Sequence, residues 1–467
     1  MHPLLHHDRS EFTSILHQTL DLASEYLAHQ DAAAPGRYVA DIAASDLAET
    51  GVGAEGALRL FRNHYADKLA ASAGPRYFGF VTGGSTPAAV AGDWLVSAYD
   101  QNACGSNDSI APQLERQALS FLKELLGIEQ TYFGSFVTGA TLSNFVSLAQ
   151  GRQWVGLQHG VDFSNEGLGT VPVKVVSATP HSSVVKSMAM LGMGRNALIR
   201  PATLPEREAV DIRSLEEILA KTGHPVIVVA NAGTVNTVDF DDLEAIARLK
   251  DKYSFWLHVD AAFGGFAGVS EKYSHLIAGI NYADSITVDA HKWLNVPYDA
   301  AMQFTRHKNI QLQVFQNSAA YLGDPEKSPD YFHYTPENSR RWRALPSWFS
   351  LVAYGKAGHR EIVERNCELA ARFGEGIKRS EEFRLLAPVR MNVVCFTFRE
   401  DPVNGETIQR FLDEIRDDGT VFFTPTVYKG TPAMRAAISN WQTSDKDIDM
   451  ALRALMSVRA ARPSAVL

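Results

Sequence analysis

Five short stretches of this chain end in groups that can do chemistry. "SITVDAHKW" (285–293) runs from apolar, β-branched residues into His291 and Lys292. "WLHVDAAFGG" (256–265) delivers Asp260 and, two places on, the small Ala262. "SATPH" (177–181) ends on His181 and "NAGT" (231–234) on Thr234, while "TGATLSN" (138–144) sets Gly139, Ala140 and Thr141 ahead of a helix-like run. Singly, each has a plain structural reading. The lysine is a surface amine, His181 a satisfied imidazole, Asp260 a cap or ion-pair partner, and the threonine loop a helix N-cap. Together they supply an amine, a carboxylate, a flat imidazole and a helix start of the kind that receives phosphate.

The elements behind these groups give them a common place. "TYFGSFVTG" (131–139), "VPVKVVSATPH" (171–181), "HPVIVVANAGT" (224–234), "SFWLHVDAAFG" (254–264) and "ADSITVDAHKW" (283–293) read as buried strands. Helical stretches at 141–153, 182–192, 211–222 and 240–252 alternate with them. That order predicts an α/β fold with a mostly parallel central sheet and helices on both faces. Ligands of such sheets bind beyond the carboxyl ends of the strands, so the five groups should share one rim. An amine that forms a Schiff base, a carboxylate that holds a pyridine nitrogen protonated, a small residue under the ring and an imidazole above it are what pyridoxal phosphate requires.

Bulk properties narrow the class. The chain has 467 residues, is 45% apolar and carries a net charge of −9, so neither nucleic acid nor a membrane surface is an expected partner. Three widely spaced cysteines predict reduced thiols in a cytoplasmic protein. No apolar run is long enough to cross a membrane, and the terminal His2, His6 and His7 read as solvated, so no metal is expected. Helical patterning at 11–30 and 55–72, the strand–helix alternation, and a later shift to helices followed by alternating strands predict three parts. These are an N-terminal helical segment (1–75), a large cofactor-binding domain (76–345) and a smaller C-terminal α+β domain (346–467).

"WLHVDAAFGG" followed by "ADSITVDAHKW" resembles the group II pyridoxal-phosphate-dependent amino-acid decarboxylases. That family includes aromatic-amino-acid, histidine, glutamate and diaminobutyrate decarboxylases. The similarity extends through "PRYFGF", "STPAAVAGDWL", "TPHSSVVKSMAMLGMG", "VVANAGTVNTVDFDDLEAI" and "PENSRRWRALPSWFSLVAYG".

The resemblance implies a fold-type I pyridoxal-phosphate enzyme and assigns roles. Lys292 is similar to the Schiff-base lysine, Asp260 to the partner of the ring nitrogen, Ala262 to the residue under the ring and His181 to the stacking histidine. Gly139, Ala140 and Thr141 fall where the family holds the phosphate, although "TGATLSN" departs from the "GGSEAN"-like form of many relatives. Thr234 falls beside cofactor and substrate, His291 adjoins the cofactor, and Asp289 stands where relatives carry Asn or Asp. Tyr331, nine residues before Arg340 of "SRR", matches the mobile-loop tyrosine that protonates the substrate carbon. It is assigned a catalytic role with Lys292 and His181.

The family relation further implies a homodimer whose mobile loop reaches the partner's active site. Phe78, Phe80 and Thr82 are candidates for a substrate pocket. The expected reaction is decarboxylation of an L-amino acid, aromatic in first place and diamino or acidic in second. An aldehyde synthase, another pyridoxal-phosphate lyase and a non-catalytic binding or assembly module are the alternatives.

Overall fold

The computed structural model describes residues 1–38, 41–105, 109–317, 330–400 and 403–461. Seven strands form the central sheet: β1 (Phe133–Val137), β2 (Val175–Val176), β3 (Leu198–Ile199), β4 (Val226–Asn231), β5 (Phe255–Asp260), β6 (Ser285–Val288) and β7 (Ala301–Thr305). Their order is β1-β7-β6-β5-β4-β2-β3. From β6 to β3 every pairing is parallel, and β7 runs antiparallel to both β6 and β1.

The residues of β4 show why this sheet is covered on both faces. Val226, Val228 and Ala230 pack with one apolar cluster, which includes Leu119 and Leu122 of the helix Ala111–Leu126 and Leu215 of the helix Ile212–Thr222. Ile227 and Val229 point the other way, into a cluster with Leu148 of the helix Ala140–Gln158 and Val184 of the helix Ser182–Met190. A run that is apolar at every position suits a strand whose alternating side chains both meet helices.

All five expected strands are present, although that at 171–181 contracts to Val175–Val176. Two others escape a reading by apolar runs. β3 is only two residues long, and β7, "AMQFT", carries Gln303 and Thr305. The helix expected at 240–252 is the short Leu243–Arg248 followed by a 3₁₀ turn, and that expected at 55–72 is Gly53–His64.

A second sheet, β8 (Phe383–Leu385), β9 (Val393–Phe398), β10 (Thr424–Tyr428) and β11 (Thr431–Ala437), has the order β10-β11-β9-β8 and is antiparallel throughout. It has its own core, rich in phenylalanine, built with the helices Ala344–Arg379, Gly405–Asp418 and Asp445–Ala460. Phe78 belongs to this core. It lies 6.4 Å from Phe373 and 6.1 Å from Phe423 between ring centroids, and its N–H donates to the Phe422 carbonyl at 2.9 Å.

One buried ion pair ties the rim of the large sheet together. Arg340 donates to Glu115 Oε2 at 2.7 Å, to the Phe136 carbonyl at 2.8 Å and to the Ala103 carbonyl at 2.9 Å. Glu115 Oε1 accepts from the Phe136 N–H at 3.0 Å, and both side chains are shielded from water. Removing one partner strands the other charge, so Glu115→Ala is expected to lower the unfolding free energy by about 3–5 kcal/mol in urea denaturation. A loss below about 1 kcal/mol would contradict this account of the pair.

Candidate active site

The carboxyl ends of the parallel strands and the loop after β1 open on a cavity of about 350 Å³. The structure brings together there Lys292, His291 and Asp289 from the end of β6, and Asp260 and Ala262 from β5. Thr234 follows β4, His181 follows β2, and Gly139, Ala140 and Thr141 form the start of the helix after β1.

Lys292 sits on the short helical turn Ala290–Trp293. Trp293 turns inward, is almost wholly buried, and donates from Nε1 to Asn366 at 2.9 Å. The backbone on the other side is clamped. Asn295 Nδ2 donates to the carbonyls of Gly83 and Ser439, each at 2.8 Å. A Cβ on Gly83 would come within 1.8 Å of the Lys292 carbonyl oxygen, so only glycine permits this approach.

The amine of Lys292 lies 3.4 Å from Asp289 Oδ2, which also accepts from the Ala140 N–H at 3.3 Å. His291 Nε2 is 3.2 Å from Asp289 Oδ1, and its ring centroid is 4.2 Å from that of Tyr298. Burial opposes charge on Asp289, but Lys292 and His291 outweigh it and hold the carboxyl below the usual carboxylate range.

Asp260, the last residue of β5, is held by two donors. Asn144 Nδ2 reaches Oδ2 at 3.0 Å, and the Ala262 N–H reaches Oδ1 at 3.2 Å. His181 caps the helix Ser182–Met190, with Nδ1 bound by Ser183. The surrounding protein desolvates the ring and Lys292 and Arg435 repel a proton on it; these outweigh Asp260 and Asp289 and lower its pKa. Thr234 lies on the wall, but its hydroxyl turns away and donates to Glu208 Oε2 at 2.6 Å.

Three expected site residues are not on this wall. Phe78 fills the core of the second sheet, as described above, and corrects the substrate-pocket reading; its neighbour Phe80 does line the cavity. Thr82 is buried one layer back, 3.2 Å from the Tyr298 hydroxyl. Tyr331 requires the larger correction. It is 1% exposed, packed under the Arg340 guanidinium at 4.3 Å from its ring centroid, and its N–H donates to the Cys104 carbonyl at 2.7 Å. A side chain locked beside the buried Glu115–Arg340 pair is not a mobile-loop acid. The loop expectation rests on "DYFHYTPENSRRWR" (330–343), which the structure describes; the preceding 318–329 lie outside the described residues.

The structure adds Arg435 from β11. It is nearly buried, donates from Nη1 to the Val235 carbonyl at 2.7 Å, and among the described residues has no partner on Nε. Burial lowers its pKa to about 10, which leaves it cationic at neutral pH. A lone charge within the apolar run "AMRAAIS" was the available signal. The completed set fits pyridoxal phosphate: an amine for the aldehyde, an oriented carboxylate for the ring nitrogen, a small residue, an imidazole, and the N-terminus of a 19-residue helix for the phosphate.

Comparison with known proteins agrees with pyridoxal phosphate as the cofactor. The pyridoxal-dependent decarboxylase conserved domain matches residues 61–399. The aromatic-L-amino-acid decarboxylase of Bacillus atrophaeus is 27% identical over 401 residues, which are 83% of this chain and 81% of that protein. The phenylacetaldehyde synthase of Petunia hybrida is 26% identical over 81% of this chain and 79% of its own. The crystal structure of Oryza sativa TDC with PLP and tryptamine shares the fold, with a TM-score of 0.89, 21% identity and coverage of 97% and 98% of the two chains. With the family domain spanning well over half of its length, the chain belongs to the pyridoxal-dependent decarboxylases, carboxy-lyases that use pyridoxal phosphate.

Proposed function

We propose that this protein removes the carboxyl group of an aromatic L-amino acid as carbon dioxide and releases the amine. The observation that carries the proposal is the convergence of Lys292, Asp260 and His181 with a helix N-terminus on one cavity. Bound pyridoxal phosphate supplies an electron sink for the charge left when carbon dioxide departs. Lys292 would hold the cofactor through its aldehyde, the chemistry its amine is placed to supply. Asp260 would hold the ring nitrogen protonated, Ala262 would leave room for the ring, and His181 would pack against it. The start of the helix Ala140–Gln158 would hold the phosphate.

Arg435 is suited to orient a substrate carboxylate, being the cation that the second sheet contributes to the wall. Phe80, Phe263 and Tyr298 offer apolar surface to an aromatic side chain, in keeping with the names of the relatives. With Tyr331 sequestered, we assign proton transfer to His181 among the titratable groups of the wall, which also include Lys292, His291 and Tyr298.

A homodimer is proposed on the strength of the N-terminal helices. Pro3–Ser10 and Phe12–Ala28 bury no residue, and Phe12, Leu16, Leu20 and Leu27 stay exposed. The three cysteines are unpaired and buried, which favours a cytoplasmic setting. Among the described residues, no helix is long and apolar enough to cross a membrane. The division into 1–75, 76–345 and 346–467 is retained as a proposal.

The direct test offers a panel of L-amino acids to the cofactor-loaded protein and identifies products by mass spectrometry. Tryptamine, tyramine or phenethylamine with matching carbon dioxide is expected; no carbon dioxide from any substrate would refute the proposal. Lys292→Ala is expected to abolish turnover. Arg435→Gln is expected to raise KM about tenfold to hundredfold, as loss of a charge-assisted contact does, and an unchanged KM would remove Arg435 from substrate binding. Tyr331→Phe is expected to leave the amine-to-aldehyde ratio unchanged, and a switch to aldehyde would restore this tyrosine to the site.

A further inference from the structure

We propose that Asn144 is a positioning residue that joins Asp260 to His181 and holds the His181 ring as the neutral tautomer with its one N–H on Nε2. The inference takes its functional meaning from the decarboxylase reading, while its evidence is a hydrogen-bond relay that exists without substrate.

Asn144 lies on the helix Ala140–Gln158, is fully buried and uses both side-chain heteroatoms. Its Oδ1 is 2.8 Å from His258 Nε2, and its Nδ2 is 3.0 Å from both Asp260 Oδ2 and Ser183 Oγ. Reversing the amide would aim an oxygen at the Asp260 carboxylate, so the carboxylate decides the orientation. Oδ1 can only accept, which puts a hydrogen on His258 Nε2. The other nitrogen of that ring, Nδ1, is 3.0 Å from Ser285 Oγ, which itself accepts from Trp256 Nε1 at 2.9 Å. Ser285 therefore spends its proton on His258 Nδ1. Burial, opposed by Asp260, lowers the His258 pKa to about 4, in keeping with a neutral ring.

On the other branch, Asn144 donates to Ser183 Oγ and leaves the hydroxyl proton to point elsewhere. His181 Nδ1 is 2.7 Å from that oxygen and 3.2 Å from the backbone N–H of Ser183. A backbone N–H can only donate. His181 Nδ1 must then carry a lone pair, and the ring hydrogen sits on Nε2. That nitrogen has no protein partner among the described residues, and the ring forms part of the cavity wall. One amide thus sets the carboxylate that meets the cofactor ring and, through Ser183, the donor that faces the substrate.

Neutron diffraction from hydrogen-exchanged crystals of the cofactor-free and cofactor-loaded protein tests the tautomer directly. Deuterium is expected on His181 Nε2 and absent from Nδ1; deuterium on Nδ1 would overturn the proposal. This result needs no turnover, so its failure is distinct from failure of the decarboxylase reading. In solution, Asn144→Leu is expected to raise the Kd for pyridoxal phosphate and to lower kcat at saturating cofactor about tenfold to hundredfold. Ser183→Ala, which removes the hydroxyl link between Asn144 and His181 but keeps the backbone N–H on Nδ1, is expected to lower kcat less than Asn144→Leu and to leave that Kd unchanged. A folded Asn144→Leu protein with wild-type Kd and kcat would overturn the coupling, and should the variant not fold, the neutron result decides.

Discussion

The site depends on keeping one amine and two carboxylates close without letting the wrong pair form. Lys292 is shared with Asp289 at 3.4 Å, and the same carboxylate takes His291 and the Ala140 N–H. Asp260 is held instead by neutral donors, Asn144 and the Ala262 backbone. The two acids therefore face different tasks. Asp289 balances the cationic groups beside the helix start, whereas Asp260 lines the cavity and in the proposed function would face a cationic ring. A carboxylate near a phosphate site is repulsive on its own, and the lysine, the imidazole and the N–H around Asp289 offset that repulsion.

This separation is maintained by backbone contacts more than by the reactive side chains. Asn295 stitches the turn after Lys292 to Gly83 and Ser439, one segment preceding the large sheet and the other following β11. At the end of β4, a Cβ on Gly264 would lie 2.0 Å from the Ala232 carbonyl oxygen, so the chain after β5 packs directly against the Asn231–Thr234 loop. Arg435 reaches the same loop from β11 through the Val235 carbonyl. Both sheets thus define the cavity, and movement of either would alter the spacing of its groups.

The parallel strands and their chemical ends were legible because each combines a continuous apolar run with an abrupt polar stop. Lys292, Asp260, Ala262 and His181 stand at such stops, and the geometry of a parallel sheet alone predicts that they meet. Arg435 lies on an antiparallel strand of another sheet, where local pattern says nothing of which cavity it enters. Tyr331 misled for the opposite reason. Its distance from "SRR" matched a functional pattern, yet Arg340 is the buried partner of Glu115 and draws the tyrosine into the core with it. Phe78 was ambiguous for the same physical reason, since an aromatic side chain suits a core and a pocket equally.

Borohydride reduction of the pyridoxal-phosphate-loaded protein, followed by peptide mapping, identifies the amine that carries the cofactor. A stable pyridoxyl group is expected on the peptide that contains Lys292 and on no other lysine. Modification elsewhere with Lys292 untouched, or none at all in protein that has bound the cofactor, would contradict that assignment.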